Sequence, residues 1–184
     1  MADDIIIEAS TLINFLRIGR VDLLAGLTAY RFILTDNVQA EILPDDYPVV
    51  HANLVAAIQA GQLHVVSLTD PAEIAAYAAM QALRVLGDGE CSSIAAAHAR
   101  CLPLAMDDGT ARKKAAAHYP GVKLLDTVGL IVEAIRSGLL TVAEADTIKA
   151  DWHDNHQFKK PNLKSFGDLL TQEVAIRATS LKTE

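Results

Sequence analysis

Cysteine is nearly absent from this chain: Cys91 and Cys101 are the only two, too few for a disulfide framework. Both stand in Ala-rich apolar text, where cysteine acts as a small core residue, so neither is assigned chemistry. Long apolar runs are missing as well. Arg, Lys, Asp, Glu or His interrupts every stretch that approaches the roughly 18 residues of a membrane span. The opening MADDIIIEAS carries acidic residues where a secretory leader needs basic ones, which predicts a cytoplasmic protein without membrane association. Positive charge is also scarce: 16 Lys and Arg stand against 23 Asp and Glu, a net charge of −7. That balance excludes a broad basic surface of the kind that neutralises phosphates. It does not exclude nucleic acid, because cations bound to a carboxylate cluster reverse the local field. No Gly-x-Gly-x-x-Gly or Gly-x-x-x-x-Gly-Lys-Ser/Thr loop occurs, and no Gly-x-Ser-x-Gly elbow, which sets aside dinucleotide, P-loop and serine-hydrolase chemistry.

What is present suffices for a core. Apolar residues make up 51% of the 184 positions and charged ones 21%, which fits one folded domain. Short apolar stretches at 5–7, 32–34, 63–66, 102–106 and 122–125 read as strands, and none alternates with polar residues. Continuous apolar strands separated by helices mark a parallel sheet covered on both faces, so the class is α/β.

Helix ends are legible from their caps. Thr35 or Asp36 opens a helix that Pro44 stops, a second covers 53–60 before Gly61, and Asp70-Pro71 opens a third to about 86. Gly87-Asp88-Gly89 then breaks the chain, with Asp88 capping a helix over 90–100 and Asp108 capping 109–118. Gly138 closes a helix begun at 128, and Thr141 with Glu144 forms a capping box for the next. Residues 152–161 read as a polar loop. Ser165 and Asp168 form another box, leading a final helix with Phe166, Leu169, Leu170 and Val174 on one face.

Reaction centres in parallel α/β domains collect beyond the carboxyl ends of the strands. Glu8 directly follows the first strand, and Asp107 with Asp108 follows the fourth. Glu41 lies in the helix after the second strand, and Glu90 opens the helix after the glycine break. Some of these have ordinary explanations: Glu90 complements a helix dipole, Asp108 suits an N-cap, and Glu41 suits a solvated helix face. Glu8 and Asp107 resist them. Carboxylates gathered at strand ends repel unless cations compensate, and Mg²⁺ takes oxygen ligands while keeping several waters. His153 and His156 suggest a zinc site, but no Cys or carboxylate set completes a tetrahedron at recognisable spacing.

The segments Ile7-Glu8-Ala9-Ser10-Thr11, Thr35-Asp36-Asn37-Val38-Gln39-Ala40-Glu41, Leu86-Gly87-Asp88-Gly89-Glu90 and Met106-Asp107-Asp108-Gly109-Thr110-Ala111-Arg112 together resemble a PIN domain. The similarity is to the variety with a GE third motif and a DD…R fourth motif, and 126–140 resembles its last strand and helix. It implies a doubly wound three-layer sandwich around a mostly parallel sheet of four to five strands. Residues 1–145 would form that domain, with 146–184 as a loop and helix packed on it. The resemblance further implies a ribonuclease dependent on Mg²⁺ or Mn²⁺, with Glu8, Glu41, Glu90 and Asp107 as ligands and Asp108 nearby. Ser10 would orient Glu8, and Arg112 would steady a phosphate or stay a solvated arginine. Partners implied are an RNA substrate, an antitoxin protein of a toxin–antitoxin pair, and a second copy of the chain. The family usually opens with Asp where Glu8 stands, so this arm is one methylene longer. The rival reading is a PIN-like module that binds RNA or a protein through its acidic groove without cutting.

Overall fold

Ile5, Ile6 and Ile7 are all fully buried. Successive strand residues point to opposite faces, so a strand buried at three consecutive positions must be covered on both sides. The computed structural model describes residues 2–156, 158 and 162–171, and its sheet explains this burial. Strands β1 (Asp3–Ile7), β2 (Tyr30–Thr35), β3 (His64–Val66), β4 (Leu104–Ala105) and β5 (Leu124–Leu125) form one sheet in the order β3-β2-β1-β4-β5. Every pairing is parallel. The first strand lies in the middle with β2 on one side and β4 on the other, which makes the fold doubly wound.

The helices are α1 (Ala9–Arg17), α2 (Val21–Gly26), α3 (Asp36–Glu41), α4 (Pro48–Gln59), α5 (Pro71–Gln81), α6 (Asp88–Ala99), α7 (Gly109–His118), α8 (Thr127–Arg136) and α9 (Val142–Asn155). Helix α6 packs on β1, β2 and β4. Its fully buried Ala95, Ala96 and Ala97 let its backbone approach the sheet closely. Ile6, Ile33, Met80, Ile94 and Met106 belong to one core cluster with it. Ile6 and Ile33 are register partners, so they share that face. On α1, Leu12, Phe15 and Leu16 are buried at the i, i+3, i+4 spacing of an amphipathic helix.

Caps behave as their residue types dictate, with one exception. Thr35 accepts from Val38 N, Asp70 from Ala72 N, Asp108 from Ala111 N and Thr141 from Glu144 N. At α6 the N-cap is Gly87, and Asp88 is already helical, because Glu90 reaches back to accept from the Gly87 N–H at 2.9 Å. Helix α4 starts at Pro48, earlier than 53, since proline suits the first helical position. Helix α5 ends at Gln81 rather than 86, and the chain leaves through Arg84 at φ +56°. Helices α1 and α2 had no sequence-based bounds. Cys91 is buried and its thiol is pushed up to about 11, chiefly by burial, whereas Cys101 is exposed and so is no core residue.

By their contacts the described residues form two compact units that divide between Leu130 and Ile131. The first contains the whole sheet. In the second, α9 continues through Trp152 to Asn155 where a loop was expected. Ala145, Ile148 and Trp152 recur on one buried face, and Phe158 meets the Trp152 ring edge-on at 5.3 Å, so burial of that face extends the helix. Residues 166–171 are helical, Ser165 Oγ accepts from Asp168 N at 2.9 Å, and Asp146 accepts from Phe166 N at 2.8 Å. Val174, Gln157, Lys159, Lys160 and Pro161 lie outside the described residues. Among the described residues, no helix is long and apolar enough to cross a membrane.

Candidate active site

The sheet order creates a topological switch point between β1 and β4, and crevices in such sheets open at the carboxyl ends of those strands. Ile7 pairs with Ala105, and Glu8 N donates to Ala105 O at 3.0 Å. Glu8 and Asp107 therefore leave the same end of neighbouring strands. Asp3 and Asp4 lie at the opposite end, where Asp4 makes a two-pronged ion pair at 2.6 and 2.8 Å with Arg31, its register partner on β2.

Glu8 is 3% exposed and serves as the N-cap of α1. Ser10 donates to it twice, from its backbone N at 2.8 Å and from Oγ at 2.5 Å, which fixes the carboxylate plane. Burial pushes the Glu8 carboxyl up to about 7, the Ser10 bonds oppose this, and the charges of Glu90 and Glu41 push it further up. Glu90 is also raised, first by burial and then, against the Gly87 N–H, by Asp108 and Glu41. Carboxylates from the ends of β1, α3 and α6 thus lie within electrostatic reach of one another.

Glu41 arrives by a different route. It is the last residue of α3, yet its Oε1 accepts from the Gly89 N–H at 2.7 Å, in the first turn of α6. Gly89 is buried and offers no side chain in the way. Asp107 is held from both sides: Oδ2 accepts from Asn14 Nδ2 at 3.1 Å and from the Thr127 hydroxyl, and Oδ1 accepts from Thr127 N at 3.3 Å. Asn14 Nδ2 also lies 3.1 Å from Thr127 Oγ1, and both residues are buried.

Asp108 caps α7 through Oδ1, so its carboxylate is occupied locally while its charge still acts on Glu90. Arg112 donates through Nη1 to the carbonyls of Met106 and Leu125 at 2.7 and 2.5 Å, joining the ends of β4 and β5. Among the described residues, no three His, Cys, Asp or Glu side chains converge on one ion as they stand. His153 lies beside Asp154 and His156 beside Asp151, while His98 stacks on Tyr119 at 3.9 Å. The donor set at the switch point is carboxylate oxygen throughout, the chemistry that suits Mg²⁺ or Mn²⁺ rather than a softer ion.

Asn14 and Thr127 carried no assigned role in the sequence. A signal existed for Asn14, a polar residue between Leu12 and Phe15 on the buried face of α1. Gly89 was marked as part of the glycine break and of the GE pair but given no role, and Thr127 was marked only as part of 126–140.

No curated protein matches the chain in sequence. Among solved structures, VapBC2 from Rickettsia felis bound to a DNA fragment from its promoter is similar at 12% identity and a TM-score of 0.48, covering 67% of this chain and 98% of its own. PAE2754 from Pyrobaculum aerophilum is similar at 15% identity and a TM-score of 0.46, covering 76% and 100% respectively. The family model described as a PIN domain matches residues 4–159, a span that takes in β2 to β5, all of β1 but Asp3, and every carboxylate at the switch point. The chain belongs to the PIN-domain family.

Proposed function

We propose that this PIN-type nuclease is a ribonuclease dependent on Mg²⁺ or Mn²⁺, with Glu8, Glu41, Glu90 and Asp107 holding the ions. One observation carries the reading: at the strand-end crevice the Glu8 carboxyl is raised by burial and by the charges of Glu90 and Glu41, and Glu90 is raised by burial and by Asp108 and Glu41, with Asp107 on the adjacent strand. Such crowding is unfavourable by itself and calls for cationic compensation. When bound, divalent cations lower the pKa of coordinated water and stabilise the departing oxygen of a phosphodiester.

The remaining tasks belong to the chain. Ser10 orients Glu8 through its two bonds, and Thr127 with Asn14 orients Asp107. The Gly87 and Gly89 N–H groups hold Glu90 and Glu41. Arg112 braces the two strand ends below Asp107. No covalent nucleophile is needed. The acidic crevice also suits the basic side chain of a protein partner, which supports an antitoxin and a place in a toxin–antitoxin pair.

The test compares wild type with Asp107→Asn on structured RNA in Mn²⁺ or Mg²⁺, with and without chelator. Wild type cuts, chelator stops it, added Mn²⁺ restores it, and Asp107→Asn loses most of the activity. Equal RNA loss in both proteins rejects catalysis by this site. A wild type that binds RNA or a protein partner and never cuts selects the non-catalytic module instead.

A further inference from the structure

We infer that Gly89 is a positioning residue: its missing side chain is what lets Glu41, delivered from α3, dock its carboxylate on the first turn of α6 and join the metal-binding set. This rests on the ribonuclease reading above and goes beyond its list of ligands.

The geometry is specific to this glycine. A Cβ at Gly89 would meet Glu41 Oε2 at 2.5 Å and both Cδ and Oε1 at 2.7 Å, well inside contact distance. At Gly87 the same atom would meet Glu41 Oε1 at 3.4 Å, an ordinary contact. Gly89 is helical, within α6, and has no positive φ, so the backbone itself does not require glycine there. Alanine favours a helix over glycine. The glycine is therefore explained by the carboxylate and not by the helix.

The steric demand falls on the far end of a flexible side chain, which yields without unfolding anything. To reach ordinary contact with an added methyl, the Glu41 carboxylate must retreat by roughly 1 Å, and a misplacement of that size can reduce a catalytic rate about 100-fold. Glu41 is exposed, so water accepts the displaced group. The substitution thus separates two quantities that usually fall together: stability holds or rises, while metal binding and turnover fall.

The experiment uses the full chain as wild type, Gly89→Ala, Glu41→Ala and the double variant. Each is read by thermal melting, by Mn²⁺ titration calorimetry and by kcat and KM for RNA cleavage. Gly89→Ala is expected to melt at or above wild type, bind Mn²⁺ about 10-fold more weakly and lose about 100-fold in kcat, with a much smaller change in KM. The double variant should be no worse than Glu41→Ala alone, since both changes act through one carboxylate. Wild-type Mn²⁺ affinity and kcat in Gly89→Ala overturn the inference, and so do losses that multiply in the double variant. If Gly89→Ala folds poorly, the Gly89 amide resonance decides: it moves in Glu41→Ala if the bond is made, and an unmoved signal overturns the proposal. A wild type that neither binds Mn²⁺ nor cuts RNA overturns the ribonuclease reading and this inference together, whereas an active wild type beside an unaffected Gly89→Ala overturns this inference alone.

Discussion

Asn14 and Asp107 stand 93 positions apart in the chain, yet the Asn14 amide donates to the Asp107 carboxylate at 3.1 Å. Asn14 sits on the buried face of α1, the helix that Glu8 caps, and Asp107 leaves the end of β4. One side chain therefore couples the segments that deliver the first and last carboxylates of the candidate site. Thr127, at the start of α8, completes the triangle.

A hydrogen bond to a charged group contributes about 1.5–3 kcal/mol. Asn14→Ala is expected to lower stability by about that amount and to reduce RNA cleavage by at least about 10-fold. Urea denaturation and single-turnover cleavage check both. Unchanged cleavage in a destabilised variant would limit Asn14 to holding the fold.

Glu8 presents the opposite trade. Its carboxyl is pushed up to about 7, chiefly by burial, so at pH 8 it is ionised in an environment that disfavours the charge. Glu8→Gln keeps the size and an acceptor for Ser10 N. In chelator at pH 8 it should gain about 1–3 kcal/mol of stability while losing cleavage in Mn²⁺. A lower denaturation midpoint than wild type would contradict the charge crowding inferred at the crevice.

Glu73 supplies the pH dependence of the scaffold. It is 2% exposed, and although burial opposes its charge, Arg100 and the Asp70 and Thr69 N–H groups outweigh it and hold the carboxyl below its ordinary 4.5. A carboxyl held low in the folded state stabilises above the unfolded value and loses that contribution as pH falls. Arg100 is partly exposed, which weakens the pair through solvent screening. Glu73→Gln is expected to lower stability by about 1–2 kcal/mol at pH 7, with the gap to wild type closing below pH about 4.5. Denaturant titrations from pH 3 to pH 8 read this directly, and a constant gap would assign the effect to packing.

Arg112 separates a brace from a phosphate contact. Its Nη1 bonds the Met106 and Leu125 carbonyls, so Arg112→Ala should lower stability and kcat. The salt dependence of RNA binding should stay as in wild type. Losing one phosphate contact would reduce the slope of log K against log salt by about 0.7–0.9. A change of that size would show that the guanidinium reaches the backbone of the substrate.

Helix caps and strand positions were readable because both depend on near neighbours. Thr35, Asp108 and Thr141 bond N–H groups three positions away, and the apolar runs around Ile6 and Ile33 carried their own burial signal, whereas the run around Val65 marked a strand that is half-buried. Boundaries were harder wherever packing extended an element. The stretch from Trp152 onward looked like a loop because its polar residues dominate the text, while the burial of Trp152 on the face shared with Ile148 kept it helical. Asp88 is a residue type that caps well, but the reach of Glu90 to the Gly87 N–H moved the cap back by one position.

The amino-acid order by itself determined an α/β chain of apolar strands, the caps that start α3, α5, α7 and α9, and a set of carboxylates at element ends. Those are set by side-chain chemistry and by spacings of a few residues. Only the tertiary structure decided that β1 lies between β2 and β4, that Glu41 docks on Gly89 from 48 positions away, and that Arg112 faces carbonyls. Each depends on contacts between segments far apart in the chain, and their geometry exists only once the sheet has assembled.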